Sequence, residues 1–204
     1  MSHPLSLPNL FTYGRLVAVP AVVACFFWGG GFAVNDITAR WTALAIFSAA
    51  GFTDYMDGWA ARRFDQSSSL GRMLDPIADK LLVASCLLLL AADGTIAGWS
   101  LWAAIIILCR EILVSGLREF LGSVQVAVPV SRLAKWKTTA QLVAIGFLLA
   151  GPAGDRLFLN YSTQLVSHTG LVLLWLSAVL TLYTGWDYFR VGISTVVKGN
   201  LSSS

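Results

Sequence analysis

Residues 41–92 read WTALAIFSAAGFTDYMDGWAARRFDQSSSLGRMLDPIADKLLVASCLLLLAA. Two apolar runs, at about 41–57 and 74–92, close on a short polar connection. Each has the length, roughly 17–25 residues, that carries an α-helix across a bilayer. Four more runs of the same kind lie on either side, at about 10–28, 99–120, 133–150 and 169–188. Turn-forming residues separate the runs: Gly29-Gly30-Gly31, Ser67-Ser68-Ser69, Asp93-Gly94, Val128-Pro129 and Gly151-Pro152. Trp28, Trp41, Trp99 and Trp186 fall near run ends, where an amphipathic indole anchors at the membrane interface. The pattern predicts an all-α polytopic membrane protein with six transmembrane helices, forming a single membrane domain over residues 1–204.

Composition agrees. Of the 204 residues 56% are apolar without counting glycine, and 12% are charged, about half the roughly 25% usual in soluble domains. A soluble fold of this length cannot hide that much apolar surface, and six spans leave no room for a separate soluble domain. Cys25, Cys86 and Cys109 fall inside apolar runs, which argues against a disulfide framework. His3 and His168 have no His or Cys at ligand spacing, so a zinc site is not expected. The net charge of +3 is small and spread along the chain, which disfavours nucleic acid as a partner. The first run lacks a basic head before Arg15 and a small-residue cleavage pattern after it, so it reads as a span and not as a signal peptide.

With six spans both termini share a side. Assigning each Lys and Arg to its nearest span end puts twelve of the fourteen on that side, leaving Arg40 and Arg156 on the other. Basic residues accumulate on the cytoplasmic face, so both termini are expected to be cytoplasmic.

The acids are less evenly spread. Asp54, Asp57, Asp65, Asp75 and Asp79 crowd between positions 54 and 79. Asp54 and Asp57 are spaced i and i+3 at the end of the second run, and Asp75 and Asp79 i and i+4 at the start of the third, so each pair shares a helix face. Antiparallel neighbours joined by a short connection bring both pairs to one depth, just inside the cytoplasmic interface. Four carboxylates in a partly dry site repel one another and need cations to stay ionised. Oxygen-only ligands favour a hard divalent ion, Mg²⁺ or Mn²⁺, which at carboxylate sites commonly holds substrate phosphates. Gly58 and Ala61 share the face of Asp54 and Asp57, Gly71 begins the face of Asp75 and Asp79, and all three let a ligand approach the backbone closely. The alternative, in which the aspartates cap helices and pair with Arg62, Arg63 and Arg72, accounts for one or two of them but not for four. Asp65, in the connection beside Arg62 and Arg63, reads as a solvated charge.

Written out, Asp54-x2-Asp57-Gly58-x2-Ala61-Arg62-x8-Gly71-x3-Asp75-x3-Asp79 resembles the signature of the CDP-alcohol phosphatidyltransferase family, with no departure in letter or spacing. The resemblance implies transfer of a substituted phosphate from a CDP-linked donor to an alcohol, with release of CMP. It implies a divalent metal held by Asp54, Asp57, Asp75 and Asp79, with Asp79 as general base, and a cytidine surface formed by Gly58, Ala61 and Gly71 with Arg62 offsetting phosphate charge. Asn9, Thr12 and Arg15 form an i, i+3 stripe on the first helix and are expected to line the same nucleotide pocket. Arg15 lies about four residues into an apolar helix, too deep for a purely solvated role.

The signature reads the donor; the acceptor is decided elsewhere. The stretches Arg110–Glu119 and Ser131–Gln141, with the opening Pro8–Arg15, resemble the branch of the family whose acceptor is glycerol 3-phosphate. Arg118 and Lys135, with Arg110 and Lys137 as secondary candidates, are then expected to hold the acceptor phosphate by charge-assisted hydrogen bonds. Glu111 and Glu119 are expected to position neighbouring bases. The implied substrates are CDP-diacylglycerol and glycerol 3-phosphate at a cytoplasm-facing site in a cell or inner membrane, with membrane lipids around the chain and a possible homodimer. Inositol phosphate, serine or phosphatidylglycerol are the alternative acceptors. Intramembrane prenyl transfer would draw on a second Asp-rich segment far along the chain, and none follows Asp79; an ion pathway would distribute charges through the membrane, whereas the spans after residue 121 contain no interior acid.

Overall fold

The computed structural model describes residues 7–27, 36–64, 69–123, 132–157 and 164–202. They form six helices: α1 (Leu7–Phe27), α2 (Ile37–Phe64), α3 (Ser69–Ala92), α4 (Ser100–Ser123), α5 (Arg132–Leu157) and α6 (Leu165–Ser202). Each predicted apolar run has its helix. Segments Ser100–Ser123 and Leu165–Ser194 are long and apolar enough to cross a membrane, with mean hydropathy 1.8 and 1.9.

The helix ends follow from local sequence. Asp36 caps α2, its Oδ1 accepting from the Thr38 and Ala39 amides at 2.8 and 3.4 Å. The chain leaves α3 through Gly94, whose φ of +80° is a left-handed conformation that glycine adopts without strain. Asp155 caps α6, accepting from the Val166 amide at 2.7 Å and the Ser167 hydroxyl at 2.5 Å.

The second and third helices reach beyond their apolar runs, to Phe64 and back to Ser69, so every signature residue lies on a helix, as the faces expected for Gly58, Ala61 and Gly71 require. A helical backbone satisfies its own hydrogen bonds whether or not the side chains are apolar, so hydropathy underestimates its length. Gly151-Pro152, read as a connection, is instead a kink inside α5: Gly151 has φ 22° and ψ −112°, and the helix resumes to Leu157.

The chain forms two compact units, Met1–Ala97 with Ile145–Leu171, and Gly98–Ala144 with Val172–Ser204. In the first, α1 packs on α2 and α3. Arg40 of α2 lies against Leu148, Leu149 and Gly151 of α5, and Leu44 lies against Gly146, so these two helices run antiparallel. Arg40 also explains why the kink is tolerated. Pro152 has no N–H to offer the Leu148 carbonyl, and the Gly151 dihedrals interrupt the ladder beside it. The Arg40 guanidinium supplies the missing donors, with Nη1 donating to the Leu148 and Leu149 carbonyls at 3.3 and 3.4 Å. Its Nη2 donates to Asp93 Oδ2 at 2.5 Å and to Thr95 Oγ1 at 2.9 Å. Arg40 is outside the apolar run but only 2% exposed. Burial lowers its pKa from the ordinary arginine value, and Asp93 partly offsets this.

In the second unit, Arg110 meets Thr181 and Thr184, and Leu117 faces Gly192, so α4 and α6 run parallel. Helix α6 is inverted relative to a helix in water. Leu174, Ser177, Ala178, Thr181, Thr184, Gly185, Tyr188 and Gly192 form a buried stripe at helical spacing, rich in hydroxyls and glycine. Val172, Trp175, Leu176, Val179, Leu182, Trp186, Phe189 and Ile193 are exposed. Large apolar side chains outside and small or polar ones inside are what a lipid solvent selects, because close helix approach and internal hydrogen bonds then replace the hydrophobic effect.

Candidate active site

The two acids of α3 with described side chains, Asp75 and Asp79, lie one turn apart on a single face, about 6 Å along the axis. Both are half-buried. Pro76 follows the first of them inside the helix and cannot donate to the carbonyl of residue 72, which weakens the ladder beside the acids.

Helix α1 reaches this face with the stripe expected from its sequence. Thr12 Oγ1 donates to Asp75 Oδ1, and Arg15 Nη2 donates to the same oxygen at 3.3 Å. Arg15 is 2% exposed, and a buried guanidinium requires a counter-charge, which Asp75 supplies. The Asp75 side chain nevertheless remains 44% exposed. Its Oδ1 is occupied twice, while Oδ2 accepts no hydrogen bond from the described residues. The arrangement fixes the carboxylate by one oxygen and leaves the other for a ligand. An oxygen donor of that kind fits a hard divalent cation.

The basic residues expected at the acceptor belong to the second unit and form two groups. Arg110 lies across α6: its Nε donates to the Thr181 carbonyl at 3.0 Å and its Nη2 to Thr184 Oγ1 at 2.9 Å. Gly185 makes room for it, since a Cβ there would come within 3.2 Å of Arg110 Cγ and Nε. Glu111 sits between two cations, with Oε1 3.5 Å from Arg110 Nη1 and in an ion pair with the buried Lys137 ammonium. This is the positioning role expected of Glu111.

Arg118 differs from both. It is exposed, its Nη2 donates to the Tyr188 hydroxyl at 3.1 Å, and its guanidinium carbon lies 5.4 Å from the Tyr188 ring centroid. Arg118 is within cation–π distance of that ring.

Asn9 lies on α1, Asp54, Asp57, Gly58, Ala61 and Arg62 on α2, Gly71 on α3 and Lys135 on α5. Their side chains fall outside the described residues. Two residues with long-range contacts, one beside the basic group and one outside the site, escaped the sequence reading. Tyr188 carries no local signal, because an aromatic near the end of an apolar run reads as an interfacial anchor. Arg40 did leave a trace, as one of two bases on the side that basic residues otherwise avoid.

The sequence profile of the CDP-alcohol phosphatidyltransferase family matches residues 5–183, which spans all six helices. The chain belongs to the CDP-alcohol phosphatidyltransferase family. Members of this family are integral membrane proteins, in keeping with the lipid-adapted surface of α6. Among its relatives, the CDP-diacylglycerol–glycerol-3-phosphate 3-phosphatidyltransferase of Cereibacter sphaeroides is 37% identical, covering 91% of this chain and 94% of its own length. The protein of the same name from Rickettsia bellii is 39% identical with the same coverage. An Arabidopsis thaliana CDP-diacylglycerol–glycerol-3-phosphate 3-phosphatidyltransferase 2 is 36% identical over 93% of this chain and 80% of its own.

Proposed function

We propose that the chain is a CDP-diacylglycerol–glycerol-3-phosphate 3-phosphatidyltransferase, which moves the phosphatidyl group of CDP-diacylglycerol onto glycerol 3-phosphate and releases CMP. The observation that carries this reading is the near full-length likeness to relatives bearing that name, joined to an intact eight-position signature. The enzyme is a membrane-embedded transferase of phospholipid biosynthesis. The family match crosses both compact units, and α5 and α6 contribute to each, which supports one working domain over residues 1–204.

In this reading a hydroxyl oxygen of glycerol 3-phosphate attacks the phosphorus that bears the diacylglycerol. The bond from that phosphorus to the oxygen bridging to CMP breaks, and CMP leaves with the electron pair. Asp79 takes the hydroxyl proton, a role a half-buried carboxylate fills well because it is neither fully solvated nor sealed. Asp54, Asp57, Asp75 and Asp79 would hold the divalent cation, Mg²⁺ or Mn²⁺. The open Oδ2 of Asp75, on a carboxylate already oriented by Thr12 and Arg15, is the feature that fits it. The chemistry such a cation supplies is neutralisation of charge growing on the pyrophosphate oxygens. Gly58, Ala61 and Gly71 admit the cytidine nucleotide, with Asn9 and Thr12 lining it from α1, and Arg62 balances the departing phosphate. Arg118 and Lys135 hold the acceptor phosphate, while Arg110 and Lys137, each engaged by partners in the second unit, stiffen that region and add positive potential.

Six transmembrane spans with both termini and the active site on the cytoplasmic side complete the proposal. Twelve of fourteen basic residues on one side support it, and so do the parallel pair α4 and α6 and the antiparallel pair α2 and α5, since alternating spans demand those directions.

Purified protein supplied with CDP-diacylglycerol and labelled glycerol 3-phosphate should form labelled phosphatidylglycerophosphate and an equal amount of CMP. EDTA should abolish this and Mg²⁺ or Mn²⁺ restore it. Serine, inositol phosphate or phosphatidylglycerol outcompeting glycerol 3-phosphate in the same assay would overturn the acceptor assignment and leave the family chemistry standing.

A further inference from the structure

Tyr188 stands out in the buried stripe of α6. It is 4% exposed, and its neighbours in that stripe are hydroxyl residues and glycines. A tyrosine buried in a lipid-facing helix needs partners for its hydroxyl. The oxygen has one, accepting from Arg118 Nη2 at 3.1 Å. A phenol oxygen that accepts still carries its own hydrogen to donate, and among the described residues nothing receives it. Arg118 in turn has five N–H donors and no acceptor, and one of them is used on Tyr188. Glu119, its neighbour in sequence, forms no ion pair with it, whereas Arg110 and Lys137 are both answered by Glu111. Among the described residues Arg118 and Tyr188 therefore form a pair with donors to spare and no further acceptor to receive them. Such a pair is complementary to a group made of acceptors and carrying negative charge.

We infer that Tyr188 is a specificity-determining residue for the acceptor: it fixes the plane of the Arg118 guanidinium and donates its own hydroxyl hydrogen to an oxygen of the acceptor's phosphate. The inference rests on the reading of Arg118 as a ligand of that phosphate. It assigns discrimination between phosphorylated and neutral alcohols to a pair spanning α4 and α6, outside the donor signature. Stacking without the hydroxyl keeps Arg118 near the ring but leaves it free to rotate about the contact, and removes one donor.

Tyr188→Phe keeps the ring and deletes only the hydroxyl, so it is the variant to measure. The Michaelis constant for glycerol 3-phosphate should rise about tenfold, as loss of a hydrogen bond to a charged group does, with kcat within about twofold and the Michaelis constant for CDP-diacylglycerol unchanged. Preference for glycerol 3-phosphate over glycerol should fall by the same factor, and the thermal midpoint in detergent should hold. An unchanged acceptor constant, or a fall in midpoint with both constants moving together, overturns the inference and makes Tyr188 a packing residue. Arg118→Lys, assayed alongside, separates the two layers. If it leaves the acceptor constant unmoved, the phosphate-binding role of Arg118 fails; if it raises that constant while Tyr188→Phe does not, only the role of Tyr188 fails.

Discussion

Helix α3 carries an aspartate near its beginning and another just past its end, and each meets an arginine that is 2% exposed. At the far end Asp93 is sealed, with 0% of its side chain accessible. Both of its oxygens are taken, Oδ2 by Arg40 and Oδ1 by the Thr95 amide at 2.8 Å. At the near end Asp75 is 44% exposed and spends one oxygen on both Thr12 and Arg15. The same pair of residue types thus does two jobs. A carboxylate with both oxygens engaged and no accessible surface can only hold helices together; one with an exposed oxygen in reserve can also bind something. Each carboxylate accepts two hydrogen bonds, so it is how they are shared between the oxygens, together with exposure, and not the presence of an ion pair, that separates the candidate active site from a structural pin.

The largest predicted effect breaks the near end. Asp79→Asn should lower transferase activity by about 10²–10⁴, the range for loss of a positioned acid or base, while the thermal midpoint in detergent changes little. A variant that unfolds in parallel with its loss of activity would make the near end a pin as well.

Breaking the far end should do the reverse. Arg40→Met or Asp93→Leu leaves an unpaired buried charge and should cost ~3–5 kcal/mol of stability, seen as a much lower midpoint, with activity per folded molecule preserved. The double variant should recover part of that loss, and failure to recover would mean that the carbonyls at the kink matter more than the ion pair.

Smaller changes sharpen the contrast. Gly151→Ala forces a side chain onto a residue with φ of 22° beside Arg40 Nη1 and Ser167 Oγ, both 3.6 Å from the new Cβ; the cost should be ~1–3 kcal/mol, read in stability. Thr12→Val removes one of the two bonds that orient Asp75 Oδ1. Its effect should be about 1 kcal/mol, expressed as a several-fold increase in the Mg²⁺ concentration needed for half-maximal activity, with the midpoint unchanged.

Much of the near end was legible in the sequence. Carboxylates at i, i+3 and i, i+4 spacing beside small residues are a local pattern, and Thr12 and Arg15 follow the same helical arithmetic on α1. The far end was not legible, because its logic is long-range. Gly151-Pro152 reads as a stop, yet the helix resumes beyond a kink whose carbonyls are met by a guanidinium more than a hundred positions earlier. Tyr188 was hidden for a similar reason: what distinguishes it from an interfacial aromatic is a hydroxyl contact with Arg118, 70 positions away.

The kink in α5 also bears on the order in which the chain can be assembled. The Leu148 and Leu149 carbonyls, deprived of regular donors, would be costly in hydrocarbon, where no water can substitute. Arg40 would be equally costly without them and Asp93. Synthesis from the N-terminus resolves the difficulty, because α2, α3 and the Asp93–Thr95 turn leave the ribosome before residue 148 does. In the proposed six-span topology the guanidinium pairs with Asp93 first, so that α5 enters a membrane in which a receptor for its broken turn already exists.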